Sequence, residues 1–179
     1  EQANYCYVPS TWAENIVEQA EKDGLRLSYH TPYRLNIHRD EFCKLAWQTI
    51  QTVNPNINLP ELAQPFSDCD EDIVRQIAAL GIVTGYEDGT FQPTRELSRQ
   101  EAAVILQRLY TVLYGKIEAS PTLYADNGSI GVWAKDSVYA MRQTGIMQGV
   151  GANRFDPKNG YTCEQSIITM PVSYTHLTL

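Results

Sequence analysis

Apolar residues recur at the spacing of a helix in two neighbouring stretches near the middle of the chain. Ile73, Ile77 and Leu80 stand at positions i, i+4 and i+7, which places them on one face of a helix. Gly81 follows and is expected to end that helix, because a left-handed backbone costs glycine least. A second stripe comes later and consists of Ala102, Ile105, Leu106 and Leu109. The pattern predicts two helices joined by a loop.

The segment between these helices is rich in turn residues. It reads GYEDGTFQP from Gly85 to Pro93, where Asp88-Gly89 favours a turn and the proline bars a helix. The second helix is predicted to begin at Ser98 and to run to about Tyr114, since Ser98-x-x-Glu101 forms a capping box. The same box recurs as Thr162-x-x-Gln165 and, in a weaker version, as His38-x-x-Glu41.

The helix–loop–helix pattern occurs three times. GYEDGTFQP is echoed by GVGANRFDP from Gly149, and the spacing from Gly81 to Arg99 equals that from Gly145 to Cys163. A degraded copy lies near the N-terminus, where WAENIVEQAEKDGL matches the later WAKDSVYAMRQTGI but the G-x-x-G and D-G-T-F features are missing. A two-helix unit of this size cannot bury its apolar stripes alone, so we expect three units packed around a shared core.

Composition excludes several classes of protein. The 179 residues carry a formal net charge of −7, whereas a nucleic-acid-binding protein needs a basic face. No apolar run approaches the ~20 residues of a membrane span. The chain begins at Glu1 without a signal-peptide pattern, so we interpret its N-terminus as a cut within a longer protein, from which export cannot be read directly.

Candidate chemistry of the catalytic or metal-binding kind is sparse. The four cysteines are scattered without a C-x-x-C pair, which does not favour zinc; two disulfides stay open, but small buried hydrophobic residues are the favoured interpretation. The chain has no H-E-x-x-H motif and no phosphate-binding loop, and Asp88-Gly89 lacks the ladder of a calcium loop. We therefore predict a protein that is not an enzyme and that holds no metal or cofactor.

Several short motifs together resemble the S-layer homology module of bacterial surface proteins, whose usual form runs F-x-D, W-A, G-I-x-x-G, D-G-x-F-x-P and T-R-A-E. The second copy has FSD, LGIVTGYEDGTFQP and SRQE but no W-A. The third has YAD, W-A, GIMQG, NRFDP and TCEQ, and the first has only W-A and HRDE. The resemblance covers roughly Tyr5 to Met170, and its combined spacing is more specific than any single element.

The resemblance implies an all-α fold in which three helix-loop-helix repeats pack as a pseudo-threefold helical bundle. The repeats would span residues 5–58 (degenerate), 66–115 and 121–171 (truncated, because Pro171 stops its last helix). Residues 172–179 match nothing in the repeat, so we interpret them as a non-native, frayed tail that leaves the third repeat without part of its core.

The resemblance also implies a function. Such triplets hold a secreted protein to the bacterial cell wall or cell surface without a covalent bond, by binding a secondary cell-wall polysaccharide that often carries a pyruvate ketal. The implied partner is this polysaccharide, or a peptidoglycan-associated glycan; no nucleic acid and no membrane insertion are expected, and the chain would be monomeric, a pseudo-trimer of its own repeats. The alternative is a structural module that assembles a surface layer through protein–protein contacts without glycan.

Arginine is the first candidate for binding the ketal carboxylate. Arg99 follows the cap residue of a helix, where free N–H groups attract anions and a guanidinium supplies a two-pronged donor. Arg39 holds the equivalent place in the first repeat. The alternative is a solvated arginine, or one paired with Glu101 or Asp88. Cys163 replaces the arginine in the third repeat, so that groove is predicted to be weak or silent, and a reactive thiol there is a further alternative.

Other candidate glycan-binding residues have a structural alternative each. Trp12 and Trp133 could stack on sugar rings, although packing is the favoured interpretation. Asp68 and Asp126 could bind sugar hydroxyls, although capping of the following helix is favoured. Glycines serve the backbone first and could also admit a sugar to the main chain; these are Gly81, Gly85, Gly145 and Gly149.

Overall fold

The computed structural model describes residues 2–170, and this part of the chain consists of helices, turns and isolated β-bridges without a β-strand. The predicted all-α class is confirmed. The proposed tail, 172–179, and the predicted stop at Pro171 lie outside the described residues. Six α-helices follow in chain order: α1 (Glu14–Lys22), α2 (Arg39–Val53), α3 (Asp72–Ala79), α4 (Arg99–Tyr114), α5 (Lys135–Gln143) and α6 (Cys163–Ile168). Short 3-10 helices cover Gln2–Tyr7, Asn127–Ser129 and Val132–Ala134.

Glycine follows each of the odd-numbered helices. Gly24, Gly81 and Gly145 have φ angles of 94°, 74° and 78°, a left-handed backbone that a side chain would strain. The prediction that Gly81 ends its helix is therefore confirmed.

Capping boxes begin the even-numbered helices. The Glu101 carboxylate accepts from the Ser98 N–H at 2.9 Å, and the Gln165 side chain accepts from the Thr162 N–H at 3.1 Å. The Ser98 and Thr162 hydroxyls accept in return from the N–H groups of Glu101 and Gln165. The predicted helix starts are thus confirmed.

A closed ring of three backbone hydrogen bonds joins the segments that precede α2, α4 and α6. The Ile37 N–H donates to the Tyr161 carbonyl at 2.8 Å, the Tyr161 N–H to Leu97 at 2.9 Å, and the Leu97 N–H to Ile37 at 3.1 Å. All three residues are buried. The ring brings together three stretches that lie far apart in sequence, and it fits the expected packing of three repeats. Their full pseudo-threefold relation stays a prediction.

Helix packing follows the same cyclic order. α2 packs on α3, α4 packs on α5, and α6 packs on α1. Each even-numbered helix thus contacts the odd-numbered helix that belongs to the next predicted repeat. Phe42, Phe91 and Phe155 are fully buried in one continuous core, and burial of each such side chain stabilises the fold by about 2–3 kcal/mol.

The cysteines behave largely as predicted. Cys43, Cys69 and Cys163 are buried and Cys6 is half-buried, and none of the four forms a disulfide in the described structure. Burial raises the pKa of the Cys43 thiol far above its usual range, so this residue is a small apolar part of the core. No helix in the range 2–170 combines the length and the apolar character that crossing a bilayer requires.

Candidate functional site

Two grooves of similar construction lie between the predicted repeats. The Arg39 groove has a volume of about 290 Å³, and the Arg99 groove about 270 Å³. Each combines an arginine from the start of one helix, the turn after the next odd-numbered helix, the following even-numbered helix and a tryptophan. The first groove includes Arg39, Thr84, Gly85, Tyr86, Glu101, Arg108 and Trp133. The second includes Trp12, Arg99, Gly145, Gln148, Tyr161, Gln165 and Thr169.

Arg39 reaches from the first turn of α2 into the loop of the second predicted repeat. Its Nε donates to the Phe91 carbonyl at 2.8 Å and its Nη2 to the Thr84 carbonyl at 3.0 Å. The guanidinium carbon also lies 4.5 Å from the centre of the Phe91 ring and 4.9 Å from that of Tyr86. The residue is only 8% exposed, so carbonyls and aromatic faces stabilise its charge where water cannot.

Arg99 repeats this arrangement one unit further along the chain. Its Nε donates to the Phe155 carbonyl at 2.9 Å and its Nη2 to the Gln148 carbonyl at 3.0 Å. The guanidinium carbon lies 5.0 Å from the Phe155 ring centre and 5.8 Å from that of Tyr161. The residue is 6% exposed. The two arginines therefore occupy matching environments at the base of the two grooves.

The alternative interpretations of these arginines are wrong. Neither is solvated, and no ion pair between described residues involves either of them. Glu101 instead pairs with Arg95 at 2.7 Å, which helps to hold the pKa of its carboxyl below the usual value against the opposing effect of burial. Asp88 accepts from the N–H and the hydroxyl of Thr90.

The free helix N-terminus that we expected beside Arg99 is also absent. The Arg99 N–H donates to the Asn159 carbonyl at 2.9 Å, and the Gln100 N–H donates to Pro157 at 3.0 Å. The Glu101 N–H is taken by the Ser98 hydroxyl. Since these amides have partners, attraction for an anion at this place has to come from the guanidinium.

Cys163 occupies the corresponding position in the third repeat. Its N–H donates to the Leu35 carbonyl at 2.9 Å, which matches the backbone bond of Arg99. Its side chain is fully buried, and burial raises the pKa of the thiol to about 12. The alternative of a reactive thiol is wrong, because such a group stays protonated and out of reach of reagents. That the third groove is silent stays a prediction.

The two tryptophans line the grooves and are exposed to solvent. Trp133 lines the Arg39 groove and Trp12 lines the Arg99 groove. They are 61% and 62% exposed, so neither ring belongs to the buried core, and the choice between packing and sugar stacking stays a prediction. Each ring therefore leaves a large apolar surface beside a buried arginine.

Asp68 and Asp126 hold loops instead of capping helices. Asp68 accepts from the N–H groups of Phe91 and Gln92 at 2.7 and 2.8 Å, and neither α3 nor the 3-10 helix at Asn127 has a side-chain cap. The Phe91 amide is the main cause that holds the pKa of the Asp68 carboxyl below its ordinary value. The favoured capping interpretation is thus wrong.

Asp126 does for the third repeat what Asp68 does for the second. It accepts from Phe155 and Asp156 at 2.9 and 2.8 Å, and these bonds lower the pKa of its carboxyl against the opposing effect of burial. Gln92 and Asp156 have φ angles of 57° and 60°, a conformation that costs a residue with a side chain about 1–2 kcal/mol. The two carboxylates stabilise those strained turns.

The candidate glycines divide between the grooves and the fold. Gly85 and Gly145 line the Arg39 and Arg99 grooves, whereas Gly81 and Gly149 do not. A Cβ at Gly85 would lie 2.6 Å from the Phe66 ring, and one at Gly149 would lie 2.8 Å from the Arg154 carbonyl. At Gly85 and Gly149, the absence of a side chain therefore allows the loops to pack closely.

Sequence reasoning missed Tyr86, Tyr161 and Arg108. The two tyrosines lie beside the arginines, and their positions in the two loops differ, so no shared motif marks them. Arg108 could have been found from helical spacing, because it stands at i+7 from Glu101 and thus on the same face of α4. It gives the Arg39 groove a second guanidinium that the described lining of the Arg99 groove lacks.

Comparison with known proteins finds matches for part of this chain. The family model of the S-layer homology domain matches residues 67–103 and 128–160. An endoglucanase of Bacillus sp. (strain KSM-635) is 32% identical over 107 residues, which is 57% of this chain and 11% of that protein. An S-layer protein of Bacillus thuringiensis subsp. finitimus is 34% identical over 86 residues, 48% of this chain and 10% of that protein.

A longer match covers most of this chain. An amylopullulanase of Thermoanaerobacterium thermosulfurigenes is 25% identical over 167 residues, which is 87% of this chain but 8% of that protein. The chain thus spans about a tenth of the length of these relatives. The two segments that match the S-layer homology domain, 67–103 and 128–160, include Arg99 and the loop residues Gly85 and Gln148, which line the Arg39 and Arg99 grooves.

Proposed function

We propose that this chain attaches the protein that contains it to the bacterial cell wall, without a covalent bond, by binding a secondary cell-wall polysaccharide in the Arg39 and Arg99 grooves. A pyruvate ketal on the polysaccharide would present its carboxylate to each arginine, and a sugar ring would stack on each tryptophan. The repeats that build the grooves are proposed to span 5–58, 66–115 and 121–171. The chain itself is proposed to be non-catalytic and to act at the cell surface.

One observation carries this proposal: each groove combines a buried guanidinium without a carboxylate partner and an exposed tryptophan. The hydrogen bonds of both arginines use Nε and Nη2, and no described residue accepts from their Nη1 atoms. A buried charge without a counter-ion is costly. A ligand carboxylate would reduce that cost, and its charge-assisted hydrogen bond would contribute about 1.5–3 kcal/mol.

The two grooves differ in their charge. Both hold one buried arginine, but Arg108 adds a second guanidinium to the Arg39 groove, where Glu101 is already engaged by Arg95. The overall charge of −7 repels anions from the molecule as a whole. Local cations are therefore what such a ligand would need, and the Arg39 groove is proposed to bind the more highly charged part of it.

The relatives support an attachment module. S-layer proteins, an endoglucanase and an amylopullulanase share this region, while about nine-tenths of each lies outside the match. A segment common to proteins with such different names is more easily explained by a shared location than by a shared reaction. We infer that the location is the cell surface.

The experiment is a pull-down on purified wall sacculi, before and after chemical removal of their polysaccharide. The parent chain should sediment only with the untreated sacculi. Trp12→Ala and Trp133→Ala should each weaken binding by roughly fivefold, because the stacking contact is worth about 1 kcal/mol. The matched control is Tyr29→Ala, since Tyr29 is almost fully exposed and lines neither groove.

Two outcomes would contradict binding of the secondary cell-wall polysaccharide. Equal sedimentation with stripped and untreated sacculi would place the interaction on another wall component, of which a peptidoglycan-associated glycan is the first to test. Assembly that rises with protein concentration in the absence of glycan, measured by light scattering, together with unchanged binding of both tryptophan variants, would favour the alternative of a protein–protein module in a surface layer.

A further inference from the structure

Two side chains at the starts of α4 and α6 contact segments from a different predicted repeat. Gln100 follows Arg99, and its Oε1 accepts from the Gly131 N–H at 2.9 Å. Glu164 follows Cys163, and its two carboxylate oxygens accept from the N–H and the hydroxyl of Ser10, both at 2.7 Å. Glu164 is only 4% exposed, so its charge is buried against this one serine.

Each contact lies two residues before a groove tryptophan. The Ser10 carbonyl accepts from Ala13 and Glu14 at 2.8 and 3.0 Å, which closes a turn that contains Trp12. The Gly131 carbonyl accepts from Ala134 at 2.9 Å and closes a similar turn that contains Trp133. A serine or glycine held in place thus fixes the base of the turn that presents each ring.

The packing around Gly131 shows how closely the ring depends on this turn. A Cβ at Gly131 would lie 2.5 Å from Nε1 of Trp133, so the indole lies directly over the main chain that Gln100 holds. Movement of that main chain would move the ring. The same dependence follows for Trp12 from the hydrogen-bonded turn that Ser10 begins.

The first repeat provides an internal comparison. Asp40 follows Arg39 and so has the position of Gln100 and Glu164, but it accepts from the Glu41 N–H and from Lys44, both on its own helix. By analogy, Asp40 would contact the second repeat, but that repeat lacks the W-A motif. Gln100 and Glu164 therefore bond to another repeat, in each case two residues before a tryptophan. Asp40, whose neighbouring repeat has no such tryptophan, bonds within its own helix instead.

We propose that Glu164 and Gln100 are positioning residues, which fix Trp12 and Trp133 as the stacking walls of the Arg99 and Arg39 grooves. The expected effect on glycan binding rests on the function proposed above, whereas the expected effect on the mobility of the two indole rings does not. Glu164 makes two charge-assisted bonds and Gln100 makes one neutral bond, so Trp12 is held more firmly than Trp133.

The first arm of the test measures the rings without any ligand. Besides the two groove tryptophans the chain has Trp47, so the double variant Trp47→Phe/Trp133→Phe reports on Trp12 alone. In this background Glu164→Ala should lower the fluorescence anisotropy of Trp12 and raise its quenching by acrylamide, while Glu164→Gln, which keeps an acceptor for Ser10, should restore most of both signals. Gln100→Ala is the matched control, because it contacts the other turn and should leave Trp12 unchanged.

The second arm measures sacculus binding with all tryptophans present. Glu164→Ala should weaken binding by roughly two- to tenfold, the cost of ordering one more side chain on association, and Glu164→Gln should recover most of it. Unchanged anisotropy and quenching of Trp12 in a folded Glu164→Ala protein, checked by circular dichroism, would overturn the proposal. If the parent chain fails to bind sacculi, the proposed function is wrong, and the first arm still decides whether Glu164 positions Trp12.

Discussion

The Arg99 guanidinium donates to the main-chain oxygen of Phe155 at 2.9 Å, and this bond joins residues 56 positions apart in the chain. The same side chain donates to the Gln148 carbonyl, so it connects the residue before the GVGANRFDP loop with the phenylalanine of that loop. Its first role is therefore structural: it holds the loop of the next predicted repeat. The proposed contact with a ligand carboxylate would use the Nη1 atom of the guanidinium. One residue would then both support the fold and bind the ligand.

Replacement of Arg99 should therefore destabilise the protein even in the absence of a ligand. Arg99→Ala leaves two carbonyls without their charged donor, and we expect a loss of about 3 kcal/mol in the free energy of unfolding. Urea unfolding followed by circular dichroism measures it. Lys22→Ala is the control, because Lys22 forms an exposed ion pair with Glu18 and should cost no more than about 0.5 kcal/mol. Equal costs for the two variants would show that the carbonyl bonds contribute little.

Substitution of Gly85 tests the close packing at the edge of the Arg39 groove. A Cβ there would approach the Phe66 ring to 2.6 Å and the Thr90 carbonyl to 2.9 Å. We expect Gly85→Ala to lower the free energy of unfolding by about 1–3 kcal/mol, because the loop has to move. Gly128→Ala is the matched control, since nothing lies within 4 Å of a Cβ at that position. A neutral Gly85→Ala variant would mean that the loop yields easily.

Acid should loosen the two loops through Asp68 and Asp126. Main-chain N–H groups lower the pKa of both carboxyls in the folded state, below the ordinary value of 3.8. A group with a lowered folded pKa stabilises the protein fully above its unfolded pKa, and this stability is lost as the pH falls through the folded pKa. We therefore expect the urea midpoint to be steady from pH 7 to about pH 5 and to decline below about pH 4.

Asparagine at these positions identifies the source of that decline. Asp68→Asn and Asp126→Asn should lower stability at pH 7 and flatten the acid decline, because the amide cannot gain the proton that the carboxylate gains. Asp136→Asn, at an exposed carboxylate, is the control and should leave both unchanged. An acid decline of the same slope in all three variants would assign it to other carboxylates.

The buried cysteines should resist alkylation. Burial raises the pKa of the Cys163 thiol to about 12, and Cys43 and Cys69 have raised pKa values for the same reason. Iodoacetamide at pH 8 should therefore modify only the half-buried Cys6 in the native protein and all four cysteines in urea, as mass spectrometry of peptides would show. Rapid modification of Cys163 in the native state would contradict the burial described above.

Local features of the sequence determined the helices and their ends. Ser98 and Glu101 lie three residues apart and make their capping bonds within one turn, so their pairing follows from spacing alone. Gly81 ends α3 because the left-handed backbone there depends on that one residue. The echoed loops and glycines likewise indicated a repeated unit, since each repeat has to place the same turn at the same distance from its helices.

The tertiary structure decided what the candidate site residues do. Arg99 could be solvated, paired or buried as far as its neighbours in sequence show, and only the next repeat brings the Gln148 and Phe155 carbonyls to it. The Asp68 carboxylate binds amides more than twenty residues further along the chain instead of the adjacent helix. The turn that contains Trp12 begins at Ser10, whose partner Glu164 lies 154 residues further along the chain. Such partners are set by packing between repeats, which spacing within one repeat does not encode.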